Sequence, residues 1–235
     1  MPLGLISDVC ALIIGGLVGG IIGKLLSDSM KDALNTIFGI CAMAIGIRLI
    51  VGMNNLSAVV LSVVLGTVIG EITHLEHRVN VLATKATTVF LKNTTADDSY
   101  INIFCAVAVV FCCSGTGWYG VLIEGFAGDS SILITKAIMD FFTAIIFAAV
   151  LGRLVSTLAV PQLLIYIVLF TVSKLVVPYT SAEMIADFSA VAGIVEVATG
   201  LRIAGVKRDI RVINSIPAMI IAMPISALWT YFSGV

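Results

Sequence analysis

Charged side chains are scarce: Asp, Glu, Lys and Arg make up 11% of these 235 residues, where a soluble protein usually carries about a quarter. Neither sign is in excess, since 13 Lys and Arg stand against 14 Asp and Glu for a net charge of −1. That balance excludes the basic surface of a nucleic-acid binder and the acidic surface a cationic partner needs. The five cysteines, Cys10, Cys41, Cys105, Cys112 and Cys113, lie in or beside apolar runs, with no C-x-x-C spacing and no neighbouring histidine. They read as small buried hydrophobes rather than a disulfide framework or metal site. Catalytic signatures are missing as well: there is no G-x-S-x-G, no H-E-x-x-H and no P-loop. Only two histidines occur, His74 and His77, three apart beside Glu71 in an interfacial setting. They supply neither a Ser/His/Asp set nor an expected metal site. The chain is therefore not expected to be an enzyme or to hold a cofactor, beyond Na⁺ or H⁺ as a coupling ion.

What fills the chain is hydrocarbon, with 60% hydrophobic residues and a mean hydropathy of +1.15. A membrane-spanning helix needs about 20 mostly apolar residues, and eight segments roughly meet that length, near 8–27, 33–52, 55–73, 101–126, 131–156, 160–178, 183–205 and 212–233. Met1 to Asp8 carries no basic region and no A-x-A-like site follows, so the first segment reads as a retained helix rather than a signal peptide. The expected fold is all-α: a polytopic integral membrane protein with a single membrane domain over residues 1–235. The polar stretch 74–100 reads equally as an interfacial amphipathic helix over 74–92 with a loop at Asn93–Asp98, or as a tethered linker. Lys and Arg set orientation. Eight spans with both termini outside put most of the 13 basic residues on one side, Arg48, Lys136 and Lys174 being the exceptions.

The fourth segment is interrupted. Ser114-Gly115-Thr116-Gly117 and Gly120 undermine a regular helix inside an apolar run, and a broken backbone survives in a bilayer only when buried in protein or facing a water-filled cavity. Around this centre (101–156) the sequence repeats itself. LNTIFGICAMAIGIR (34–48) aligns without gaps on FSAVAGIVEVATGLR (188–202), matching Gly39 with Gly193, Gly46 with Gly200 and Arg48 with Arg202. Segments one to three (8–73) thus correspond to six to eight (160–233). The odd displacement gives the copies opposite orientation, as in transporters that alternate access through inverted repeats.

These residues resemble the YqgA/YdfK-like membrane proteins, the domain-of-unknown-function family 554, over nearly the whole length. The likeness is strongest in FCCSGTGWYGVLIEGFAGDSSILITKAIMDFFTAIIFAAVLG, through Phe111, Cys112, Gly120, Gly125, Gly128, Asp129, Lys136, Asp140 and Gly152. IGEITHLEHRV contributes Gly70, Glu71 and Glu76. The segment from Gly193 to Ala218 contributes Gly193, Gly200, Leu201, Arg211, Val212, Asn214, Pro217 and Ala218. Asp8 stands where the family has asparagine, and Glu196 where it has an aliphatic residue. The resemblance implies fold and membrane location; its two departures imply a different solute or coupling ion for this member.

Several residues are candidates for chemistry. Lys136 and Asp140 share a helical face four residues apart, well inside an apolar segment. Ionised groups there usually face the bundle interior or water, so Asp140 reads as a cation or proton site and Lys136 as its modulator; the bland alternative is a structural ion pair. Glu196, mid-helix near Gly193 and Thr199, is a second candidate for ion coupling. Ser114, Gly115, Thr116 and Gly117 offer amides, carbonyls and hydroxyls at the break, and Asn35, Ser189 and Thr199 could hydrogen-bond a solute. Trp118 and Tyr119 read as gates or interfacial anchors. Asp8, Glu124, Asp129 and Asp187 sit near segment ends, where a solvated interface explains each. The expected function is secondary active transport of a small polar or anionic solute coupled to Na⁺ or H⁺, in a bacterial cytoplasmic membrane and as a homodimer. The alternatives are a cation channel and a non-transporting scaffold or sensor.

Overall fold

Apolar runs of this length have one way to satisfy their amides away from water, the intrahelical hydrogen bond. The protein, described here by a computed structural model for residues 2–90 and 98–233, is correspondingly helical. Its helices are α1 (Leu3–Ile22), α2 (Asp28–Val51), α3 (Leu56–Ile72), α4 (Leu75–Phe90), α5 (Asp98–Cys112), α6 (Gly115–Ala127), α7 (Ser131–Leu151), α8 (Ala159–Val176), α9 (Ala182–Ile203) and α10 (Ile216–Ser233). No strand occurs among the described residues. Among the described residues, six stretches are long and apolar enough to cross a membrane. One of them, Ser131–Tyr179, contains both α7 and α8, and the 17-residue α3 joins α4 across a bend of 55°. All eight expected segments are therefore helices. The bend falls where His74 takes a positive φ of 49°, a conformation that ends a right-handed helix. Leu75–Phe90 is helical as the amphipathic reading expects; most of the polar loop, residues 93–97, lies outside the described residues.

The helices gather into two compact units, residues 1–33 with 77–175, and residues 34–76 with 176–235. Packing thus cuts across the sequence grouping, separating α1 from α2 and α3, and α8 from α9 and α10.

In the first unit α1 and α7 run parallel in one register. A Cβ on Gly4 would stand 2.7 Å from Leu133, one on Gly15 3.0 Å from Ala144, and one on Gly19 2.8 Å from Ala148. Such small faces let helices approach closely where lipid supplies no hydrophobic drive between them. After α7 the chain turns at Gly152, whose φ of +64° only glycine adopts freely. A 3-10 stretch, Gly152–Leu158, then doubles back along α1: Arg153 returns beside Gly20, and Ser156 Oγ donates to the Ile13 carbonyl at 2.9 Å. α8 consequently runs antiparallel to α1. Leu5, Leu12, Val107, Phe111, Val121, Leu133, Val155 and Tyr166 form the core between them.

The second unit is built from two antiparallel pairs. Gly39 of α2 lies on Gly200 of α9, and Gly46 lies on Gly193, with a Cβ at any of the four meeting the partner helix within 2.6 Å. α3 packs on α10 through Gly66 on Ala218, and on the 3-10 turn Val212–Ser215 ahead of it through Gly70 on Asn214. Polar groups close the ends. Asp187 Oδ1 accepts from the amides of Asn54 and Asn55 (2.9 and 2.7 Å) ahead of α3, while its Oδ2 accepts from Ser226 Oγ at 2.6 Å. Asn214 Oδ1 takes the amide of Glu76 at 2.7 Å, and Arg211 bonds Glu71 at 2.8 Å.

Candidate functional site: a buried polar cluster at the helix break

The expected interruption of the fourth segment is real. α5 ends at Cys112, Ser114 is extended (φ −66°, ψ 127°), and α6 begins at Gly115. Trp118 Nε1 donates to the Cys112 carbonyl at 2.9 Å, so the indole serves the end of α5. The Ser114 side chain makes no capping bond, and the first intrahelical bond of α6 runs from Trp118 N to Ser114 O. The amides of Gly115 to Gly117 therefore start α6 without intrahelical partners. Gly117 lies directly against the Tyr166 hydroxyl, and a Cβ there would also stand 3.0 Å from Lys136 Cε. Glycine is what brings this backbone onto the charged residues of α7.

Those residues form one cluster. Lys136 Nζ donates to Asp8 Oδ2 at 3.0 Å and to Asp140 Oδ2 one turn along α7. Tyr166 Oη donates to the same Asp8 Oδ2 at 2.7 Å, and Gln162 Nε2 reaches it at 3.1 Å. Gln162 Nε2 also lies 3.2 Å from Tyr166 Oη. All five side chains are buried: Asp8, Gln162 and Tyr166 are 0% exposed, Lys136 3% and Asp140 9%. Three donors thus converge on one oxygen of Asp8. Among the described residues none reaches Asp8 Oδ1 or Gln162 Oε1, which are buried as well. Two carboxylates against one ammonium leave the cluster a single net negative charge when all are ionised. Removing such groups from water is costly unless partners compensate, so this is where the fold concentrates unfavourable electrostatics.

Asp8 is here because α1 begins at Leu3 rather than near residue 8. Glu124 of α6 makes that start possible, accepting from Gly4 N at 2.8 Å and Leu5 N at 3.1 Å, as an acidic group at a helix N-terminus does. The solvated-interface expectation therefore fails for three residues. Asp8, Glu124 and Asp187 are buried, the last two by capping helices far away in sequence, while Asp129 is exposed and caps Ser131. The cluster also recruits Gln162 and Tyr166, which sequence reasoning passed over. The available signal was two polar groups four apart on one face of an apolar helix.

Of the expected site residues, Lys136, Asp140 and the Ser114–Gly117 break belong to this unit and meet through Gly117. Asn35, Ser189, Glu196 and Thr199 belong to the second unit. There Ser189 Oγ donates to Ile185 O at 2.7 Å and Thr199 Oγ1 to Val195 O at 2.9 Å, each on its own helix. Asn35 is half-buried, and Glu196 is 2% exposed in mid-α9.

Long apolar helices, tight small-residue packing and charges held inside the bundle define an all-α polytopic membrane protein. The chain belongs to the family described as "Protein of unknown function (DUF554)", whose model matches residues 3–227. It is 43% identical over 232 residues, 98% of each chain, to the Escherichia coli (strain K12) protein named "Uncharacterized protein YqgA". It is 25% identical over 222 residues, 93% of each chain, to the "Uncharacterized membrane protein YdfK" of Bacillus subtilis (strain 168). No solved structure matches it.

Proposed function

We propose that the protein is a secondary active transporter for a small polar or anionic solute, coupled to Na⁺ or H⁺. The observation that carries this reading is the buried Asp8–Lys136–Asp140–Gln162–Tyr166 cluster against the break between α5 and α6. Charged residues within membrane helices are expensive and mark ion and substrate paths, and interrupted helices are where transporters bind solutes. A protein needing only adhesion between α1, α7 and α8 gains nothing from burying two carboxylates and a lysine that apolar side chains replace at no cost.

The glycine contacts of the second unit support the inverted-repeat part of the reading. Aligning 34–48 on 188–202 equates Gly39 with Gly193 and Gly46 with Gly200. Exchanging the copies then turns the Gly39–Gly200 contact into the Gly193–Gly46 contact, and both exist. A pseudo-twofold relation between antiparallel helices requires that reciprocity. In this reading the protein lies in the bacterial cytoplasmic membrane with both termini outside. A homodimer gives so small a carrier its scaffold, a step that rests on analogy alone. The test is the thermal stability of the purified protein across amino acids, carboxylates and cations, since a ligand of the folded state raises the melting temperature as ln(1 + [L]/Kd). A solute-specific shift enhanced by Na⁺ or low pH, and lost in Asp140→Asn, is expected; silence across the panel sinks the proposal.

A further inference from the structure

We propose that Asp8 Oδ1 and Gln162 Oε1 are ligands of a monovalent-cation site, of sodium class, set in the buried cluster between α1 and α8. The orientation of the Gln162 amide follows from its neighbours. One end lies 3.1 Å from Asp8 Oδ2 and 3.2 Å from Tyr166 Oη. Tyr166 spends its proton on Asp8 Oδ2, so both neighbours are acceptors and the end facing them is the NH₂ group. Gln162 Oε1 is then an acceptor pointing elsewhere, and it is buried with no donor among the described residues. Asp8 repeats the asymmetry: Oδ2 collects Lys136, Gln162 and Tyr166, while Oδ1, in a residue 0% exposed, collects no donor among the described residues.

Two buried hard oxygens without a donor among the described residues, in a cluster that carries one net negative charge when Asp8, Asp140 and Lys136 are all ionised, point to a cation. An anion is repelled. A neutral donor answers the oxygens but not the charge. A divalent ion overshoots the charge, and soft metals prefer sulfur or imidazole. A small alkali cation meets both demands, and Lys136 keeps its place between Asp8 Oδ2 and Asp140. The bound ion acts as the coupling ion only if the transporter reading holds; the site itself does not depend on it.

The experiment is the melting temperature of the purified full-length protein at fixed slightly alkaline pH, titrated with NaCl, LiCl or KCl and with choline chloride holding ionic strength constant. Sodium is expected to raise the wild-type melting temperature saturably while choline does not. Asp8→Asn and Gln162→Met are each expected to move half-saturation upward by about tenfold or more, the loss of a charged or dipolar ligand being worth at least one decade in Kd. Equal melting in sodium and choline up to about 0.5 M overturns the site, and so does a sodium effect undiminished in a folded Gln162→Met. A melting temperature that rises only as pH falls, with no alkali-ion effect, overturns it in favour of a proton. Because the wild-type titration decides alone, a variant that does not fold leaves the proposal exposed. A sodium shift without any solute shift refutes the transporter reading but not this site; a solute shift without a sodium effect does the reverse.

Discussion

Replacing Lys136 by methionine keeps the unbranched side chain up to Cε and removes the ammonium that two buried carboxylates share. Nζ lies 3.0 Å from Asp8 Oδ2 and donates to Asp140 Oδ2 as well, and the lysine is 3% exposed, so water cannot take its place. Breaking a buried pair by deleting one partner costs about 3–5 kcal/mol. With two carboxylates stranded, the upper part of that range is expected. At about 2–4 °C per kcal/mol for a chain of this size, the melting temperature should fall by at least about 8 °C, read by scanning fluorimetry in detergent. The double variant Lys136→Met/Asp8→Asn removes one stranded charge and should recover about half the loss, because contacting residues do not act additively. A single variant within about 1 kcal/mol of wild type, or a double variant no more stable than the single one, would refute the electrostatic account of the cluster.

The reciprocal glycine contacts predict that Gly46→Ala and Gly193→Ala each lower stability by about 1–3 kcal/mol through overpacking, since the added Cβ meets backbone of the partner helix within 2.6 Å. Nearly wild-type melting in both would rule out the close pairing of α2 and α9. Glu124→Ala strips the start of α1 of its acceptor, and Asp187→Ala strips the amides ahead of α3. Each should cost about 1–3 kcal/mol, as charge-assisted bonds do, and hydrogen exchange should rise first at Gly4–Leu5 and at Asn54–Asn55 respectively. For topology, a cysteine at Asp129 on a cysteine-free background should react with an impermeant maleimide from outside intact cells, while one at Lys207 should react only after permeabilisation. Equal labelling of both would contradict the eight-span arrangement.

The helices themselves were legible because hydropathy and length suffice for a chain in lipid. The break at Ser114–Gly117 and the Lys136–Asp140 pair were legible because glycine and i,i+4 spacing act locally. Partners 120 or more residues apart were not. Nothing near Asp8 announces that Glu124 will extend α1 upstream and sink Asp8 into the bundle, nor that Gln162 and Tyr166 will arrive there. That arrival depends on Gly152, whose positive φ reverses the chain so that α8 retraces α1. The glycine repeat was visible as sequence similarity, but its packing of Gly39 on Gly200 and Gly46 on Gly193 is a tertiary fact. Ser189 and Thr199 show the opposite limit: their hydroxyls bond their own helix, which hydroxyls commonly do and which no spacing rule distinguishes from ligand binding.

The most direct measurement of the central claim is uptake into proteoliposomes of the solute that best stabilises the protein, with and without an inward sodium gradient. The account predicts accumulation above the equilibrium level that collapses with the gradient and is lost in Asp140→Asn. Rapid equilibration that ignores the gradient, the behaviour of a channel, would contradict it.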